Sequence, residues 1–156
     1  MEKKKYYSNS EVLIRAAKYC AYQERCHKEV LEKLGELGVY GNDADIILLR
    51  LIEDNYVNEE RYAKAFAGGK FRVKQWGRQK IKRELKMRDI SDYCIEGALK
   101  EIEEDAYLKT LKKVVQTKYK MIKAKNDIER KYKTAQYLVS RGYESNLIWD
   151  CLNTND

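Results

Sequence analysis

The side chains with the most capacity for chemistry in this chain are lysines and arginines, and they are unevenly placed. Residues 70–88 hold nine basic side chains and a single acid, Glu84. Residues 109–133 hold ten basic side chains and two acids. The whole chain carries a formal net charge of only +7, so the remainder is net acidic. Clusters of Lys and Arg are how proteins recognise phosphate. Two basic stretches on an acidic background suit a partner with both signs of charge, such as a nucleic acid coated with protein, better than bare nucleic acid. The plain alternative is a solvated helix surface, for which Lys and Arg are equally good residues. The first candidates for partner contact are Lys82, Arg83 and Lys86, followed by Arg72, Lys74 and Arg78. Lys118, Lys120, Lys123 and Lys125 form a second candidate patch.

Other chemistries find little support. There is one histidine, His27, and the cysteines Cys20, Cys26, Cys94 and Cys151 are scattered with no C-x-x-C pair, so no two-Cys, two-His zinc site can assemble. They read as small apolar residues of a reducing compartment. Gly68-Gly69 lacks the Lys-Ser or Lys-Thr that follows a phosphate-cradling loop. The carboxylates make no recognisable pair, and an enzyme needs groups that converge in a pocket. No cofactor, metal or small-molecule substrate is expected. No apolar run approaches the ~18 residues of a membrane span, and Met1-Glu2-Lys3-Lys4-Lys5-Tyr6-Tyr7 has no apolar signal stretch. The expected location is the cytoplasm, away from membranes. Trp76 has two readings: a ring for stacking on a nucleic-acid base, or a core residue at a helix junction.

The elements that must position these side chains are helices. The chain has no proline, and 37% of it is charged, as helical surfaces are. No strand alternation or hairpin signal is evident. Ser8-Asn9-Ser10-Glu11 reads as a capping box opening a helix through Leu13, Ala17 and Cys20. A second helix carries Val30, Leu31 and Leu34 and stops at Gly35 or Gly38. After a Gly41-Asn42-Asp43 turn, a third carries Ile47, Leu48, Leu51 and Ile52. Asn58 caps a helix with Tyr62, Ala65, Phe66 and Val73, broken at Trp76-Gly77. In the next, Ile81 and Leu85 form the core stripe, while Gln79, Lys82, Arg83 and Lys86 lie opposite at ~100° per residue. Ser91 caps a helix with Cys94, Ile95, Ala98, Leu99 and Ile102. A further helix from near Asp105 carries Tyr107, Leu108, Leu111, Val114 and Val115. The basic stretch from Lys118 to Lys125 lacks a stop signal and reads as a ragged helix end or a loop. Ile128, Tyr132, Ala135 and Leu138 mark the next helix, ending at Gly142, and Ser145 caps the last, with Ile148, Trp149 and Leu152.

One phrase recurs in this series. Leu34-Gly35-Glu36-Leu37-Gly38-Val39, Leu85-Lys86-Met87-Arg88-Asp89-Ile90 and Leu138-Val139-Ser140-Arg141-Gly142-Tyr143 each end a helix on Leu, turn, and place an apolar or aromatic residue five positions later. The expectation is an all-α, elongated tandem array of three three-helix repeats, residues 8–57, 58–104 and 105–153. Such units bury little area alone, so neighbours must support one another.

These residues resemble the RecX regulatory family over most of the chain, from about Arg15 to Leu152. Asn58-Glu59-Glu60-Arg61-Tyr62-Ala63 is similar to the family's acidic-x-Arg-aromatic-Ala phrase. Gly77-Arg78-Gln79-Lys80-Ile81-Lys82-Arg83-Glu84-Leu85 is similar to its Gly-x-x-Arg-Ile-x-x-Glu-Leu phrase, with Lys80 in place of the usual Arg. Asp89 stands where the family has Gly, Asn58 where it has Asp, and Cys26 where a Ser would cap the second helix, so that cap is expected to be weaker. The resemblance implies three tandem three-helix units and a non-catalytic regulator. Its implied partner is the RecA filament on single-stranded DNA, whose ATP hydrolysis, strand exchange and co-protease activity, and with them the SOS response, it would restrain. The competing reading is a stand-alone helical DNA-binding protein, because short helices joined by tight turns also resemble helix-turn-helix units.

Overall fold

A computed structural model describes residues 7–154, and among them the regular structure is entirely helical. The helices are α1 (Asn9–Tyr22), α2 (His27–Glu36), α3 (Gly41–Glu53), α4 (Glu59–Lys74), α5 (Arg78–Met87), α6 (Asp92–Lys100), α7 (Glu104–Met121), α8 (Asp127–Ser140) and α9 (Ser145–Asn153). Helix–helix packing falls within consecutive triplets: α1–α3, α4–α6 and α7–α9. The chain is thus a tandem array of three three-helix units.

The recurring sequence phrase is a recurring helix terminator. In each copy the amide of the apolar residue donates back to the carbonyl of the leucine: Val39 to Leu34 at 2.8 Å, Ile90 to Leu85 at 3.2 Å and Tyr143 to Leu138 at 3.1 Å. The residue before it sits in the left-handed region, with φ of 87° at Gly38, 59° at Asp89 and 100° at Gly142. This is the bond from beyond the helix end that satisfies otherwise orphaned carbonyls. The leucines are fully buried, so the turn also pins the second helix of each unit to its core. Asp89 adopts the left-handed conformation in place of glycine, as a short polar side chain tolerates.

Several expected details shift. The Ser8 capping box forms, with the Glu11 amide donating to Oγ at 3.3 Å and Glu11 Oε2 accepting from the Ser8 amide at 3.2 Å. The buried stripe of α1 is nonetheless Val12, Ala16 and Cys20, with Leu13 and Ala17 only half-buried; one residue is ~100° of rotation. Gly41-Asn42-Asp43 is the first turn of α3, where Asp43 suits the positive end of the helix dipole. Leu108 is partly exposed, and Ile52, Ile128 and Tyr132 also face outward; the inward face of α8 is Thr134, Ala135 and Leu138. Thr134 is buried without cost because its hydroxyl donates to the Arg130 carbonyl at 2.7 Å. The basic stretch after Lys118 resolves into a helix to Met121 and an irregular segment 122–126. Ser145 does not cap α9; Glu144 occupies that position. At Cys26 the thiol donates to Glu29 Oε1 at 3.2 Å.

Adjacent triplets meet through turns. The turn before α5 lies on the turn between α8 and α9: Gly77 donates to the Arg141 carbonyl and Gln79 to the Gly142 carbonyl, both at 2.9 Å. Tyr143 donates to the Gln75 carbonyl at 2.7 Å, and Arg141 to the Lys74 carbonyl at 2.6 Å. A Cβ on Gly77 would lie 2.3 Å from the Gly142 carbonyl carbon, and one on Gly142 2.4 Å from Lys80 Cβ. The first junction uses the equivalent turn, with Arg61 Nε donating to Glu24 Oε1 at 2.5 Å and Lys28 Nζ to the Met87 carbonyl at 3.3 Å. Triplets two and three, joined by Cys26, share one continuous apolar core, whereas triplet one has its own.

Gly77→Ala should therefore overpack the second junction, at a cost of about 2–3 kcal/mol. The check is thermal unfolding by circular dichroism, with the midpoint expected to fall by roughly 5–10 °C. An unchanged midpoint would show that the junction yields freely.

Candidate partner and nucleic-acid interface

The basic face is built on α5. Ile81 and Leu85 are fully buried, one turn apart, which rotates Gln79, Arg83 and Lys86 into solvent and leaves Lys82 half-buried at the edge. The one acid in the stretch is neutralised within it, since Arg88 Nη1 lies 3.0 Å from Glu84 Oε2. Lys86 approaches Asp92 only at 3.9 Å, with both side chains largely exposed, an arrangement that contributes little. Lys82 and Arg83 have no ion-pair partner among the described residues. The face therefore keeps its positive charge.

Arg78, by contrast, is spent on the scaffold. Its guanidinium donates to Glu144 Oε2 at 2.9 Å, pairs with Glu104, and lies 3.7 Å from the centre of the Tyr107 ring. Tyr107 in turn donates to Glu144 Oε1 at 2.5 Å and accepts from the Arg78 amide at 3.1 Å. Burial, then the Glu144 carboxylate, holds the Tyr107 phenol well above its ordinary pKa. Glu144 is thus engaged by two side chains of this junction, which explains why it takes the N-cap position without capping. Burial likewise raises Tyr143, to about 12. In the first junction burial, and after it Glu29, raises Tyr62, the counterpart of Tyr107.

The remaining candidates divide. Arg72 and Lys74 are exposed at the end of α4, with the Arg72 guanidinium folded along Gly68. Lys118 is half-buried over the Tyr137 ring at 3.9 Å, while Lys120, Lys123 and Lys125 are exposed around segment 122–126. The structure adds two lysines outside the candidate set. Lys70 and Lys80 Nζ stand 4.9 and 4.4 Å from the Trp76 ring centre. Trp76 is half-buried, and its ring meets Phe66 edge-on at 6.3 Å. A helical spacing links Phe66 to Lys70, and Lys80 reaches the Trp76 ring from four residues further along, across the Gly77 cap of α5. No group of three potential metal ligands lies together among the described residues, and no described helix is long and apolar enough to cross a membrane.

Comparison with known proteins matches these units directly. Residues 58–99 match the family model of the second three-helix domain of RecX, and residues 104–152 that of the third, together more than half of the chain. The chain belongs to the RecX family. It is 26% identical over 139 residues to the regulatory protein RecX of Bacillus cereus strain B4264, covering 89% of this chain and 52% of the relative. To that of Bacillus mycoides strain KBAB4 it is 25% identical over the same length. The chain therefore spans about half the length of the curated relatives it matches. The crystal structure of RecX from Lactobacillus salivarius superposes with a TM-score of 0.79 at 23% identity, covering 94% of this chain and 95% of that one. A second crystal structure, of a regulatory protein RecX, gives 0.82 at 20% identity, covering 89% and 68%. At these identities the structural likeness establishes the RecX fold.

Removing the junction cation should act on stability. Arg78→Ala leaves Glu144 half-buried without its guanidinium and should cost about 2 kcal/mol. The check is urea unfolding. If Arg78→Ala instead leaves the unfolding midpoint in place, the guanidinium does not hold the junction.

Proposed function

We propose that this chain is a non-catalytic regulator that binds a RecA filament on single-stranded DNA and restrains its recombinase, ATPase and co-protease activities. What supports this reading is the uncompensated positive face of α5, held on a junction that locks its orientation, in a member of a family whose curated relatives are named regulatory proteins. Lys82, Arg83 and Lys86 bind phosphate or acidic protein surface in the filament, joined by Arg72 and Lys74. Exposed lysines flex and stay hydrated until a phosphate releases its counterions, so affinity is strongly salt-dependent. Lys118, Lys120, Lys123 and Lys125 supply a second contact around segment 122–126. Arg78 acts through the scaffold and only indirectly on the partner.

The test is ATP hydrolysis by the cognate recombinase on single-stranded DNA, titrated with this chain. Substoichiometric protein is expected to slow hydrolysis. Lys82→Glu with Lys86→Glu is expected to shift the inhibitory concentration upward by at least about tenfold, since several phosphate contacts are lost or reversed, with helicity unchanged. Equal inhibition by the double variant would make that face merely solvated surface.

A second reading, a stand-alone DNA-binding protein, is favoured by one observation, the Trp76 ring attended by Lys70 and Lys80. Aromatic rings beside cations are how single strands are held without sequence preference. Tight, salt-sensitive binding to bare single-stranded DNA, with no effect on the recombinase, would decide for it.

A further inference from the structure

Helix α3 carries more apolar surface than its position uses. Ala44, Ile47, Leu48 and Leu51 face the core of the first triplet. Ile46 and Leu49, on the other side, are 66% and 56% exposed, and Ile52 is 37% exposed. Clustered exposed aliphatic side chains mark an interaction surface.

The neighbouring helix turns this face into a groove. In the second triplet α4 and α6 pack along their lengths across the buried residues Ala63, Ala67 and Ala98. Counting from the N-caps Ser8 and Asn58, Leu13 stands where Ala63 does; counting from Val39 and Ile90, Ile47 stands where Ala98 does. Both side chains are larger than alanine, and α1 and α3 touch over a much shorter stretch than α4 and α6 do. Between them lies an open groove of about 490 Å³ walled by Leu13, Ile46, Ile47 and Leu49.

Its electrostatics point to the occupant. Asp43 and Glu53 line the two ends of the groove, about 15 Å apart at the ~1.5 Å rise per helical residue. Asp45 is exposed nearby, and none of these three acids forms an ion pair among the described residues. The basic side chain in the lining, Arg50, is held by Asp54 at 2.8 Å. A second copy is a poor match: two α3 helices laid antiparallel would set Asp43 against Glu53, like against like. We infer that the groove between α1 and α3 docks an amphipathic helix of a partner protein, one whose apolar stripe is flanked at both ends by Lys or Arg. Helix-in-groove recognition uses apolar anchors at i, i+3, i+4 and i+7, a length that fits between the two acidic ends. The groove lies outside residues 58–152, in the triplet that the family models leave unmatched, and it does not depend on the α5 face.

The experiment uses two fluorescein-labelled helical peptides with the same leucine stripe, one ending in lysines and one in glutamates. Binding to the whole chain is followed by fluorescence anisotropy. The lysine-ended peptide is expected to bind saturably and at least tenfold more tightly than its glutamate twin. Ile46→Glu with Leu49→Glu should weaken it at least tenfold, and Asp43→Lys with Glu53→Lys should reverse the preference, all without loss of circular dichroism, since the four residues are exposed or at the rim. The inference is overturned by absent saturable binding, by equal binding of the two peptides, or by indifference to the aliphatic substitutions. It is overturned equally by a dimer in sedimentation equilibrium that Leu49→Glu dissolves, which would make a second copy the occupant.

Discussion

The closest constraint in this molecule is the contact of two turns. Gly77 and Gly142 bring two backbones together with no space for a Cβ on either, and two amide–carbonyl bonds cross the contact. Around it, half-buried Arg78 and Glu144, buried Tyr107 and exposed Glu104 form a network in which each charge has an opposite partner. Such a network is costly to break and sets geometry more than it adds net stability. Because Gly77 also opens α5, the contact fixes the direction of that helix and the orientation of its lysines.

The two junctions are built on one plan but not equally. The first uses a side chain, Cys26, where the second uses a bare backbone, and it relies on Arg61 with Glu24 rather than on a backbone ladder. Triplets two and three therefore share one core, which Cys26 joins, and the rest of triplet one packs around its own. This departs from a picture of three equal modules stabilised by identical neighbours. It also separates two surfaces, the basic face on the triplets that share a core and the apolar groove on triplet one.

In the basic stretches the same residue type serves three purposes. Arg78 ties triplets together, Arg88 cancels Glu84, and Lys82, Arg83 and Lys86 are left as the face proposed for a partner. Charge counts alone overstate the interface, since two of the nine cations in residues 70–88, Arg78 and Arg88, sit in close ion pairs within the chain. What distinguishes the free cations is position on α5 relative to Ile81 and Leu85, and that is a matter of helical phase.

The sequence by itself determined the helices, the tripled terminator and the family, because each rests on local physics: caps, left-handed turns and 3.6-residue periodicity act over a few residues. It also marked the face of α5, since two buried positions one turn apart define its opposite side. It misjudged the inward faces of α1 and α8 by a fraction of a turn, and it could not reveal that Arg78 meets Glu144 or that Tyr143 meets Gln75. Those contacts join residues far apart in the chain, and only the docking of one triplet on the next decides them. The groove likewise required the tertiary structure: half-buried Leu13 and buried Ile47 come to line one opening only once α1 lies beside α3.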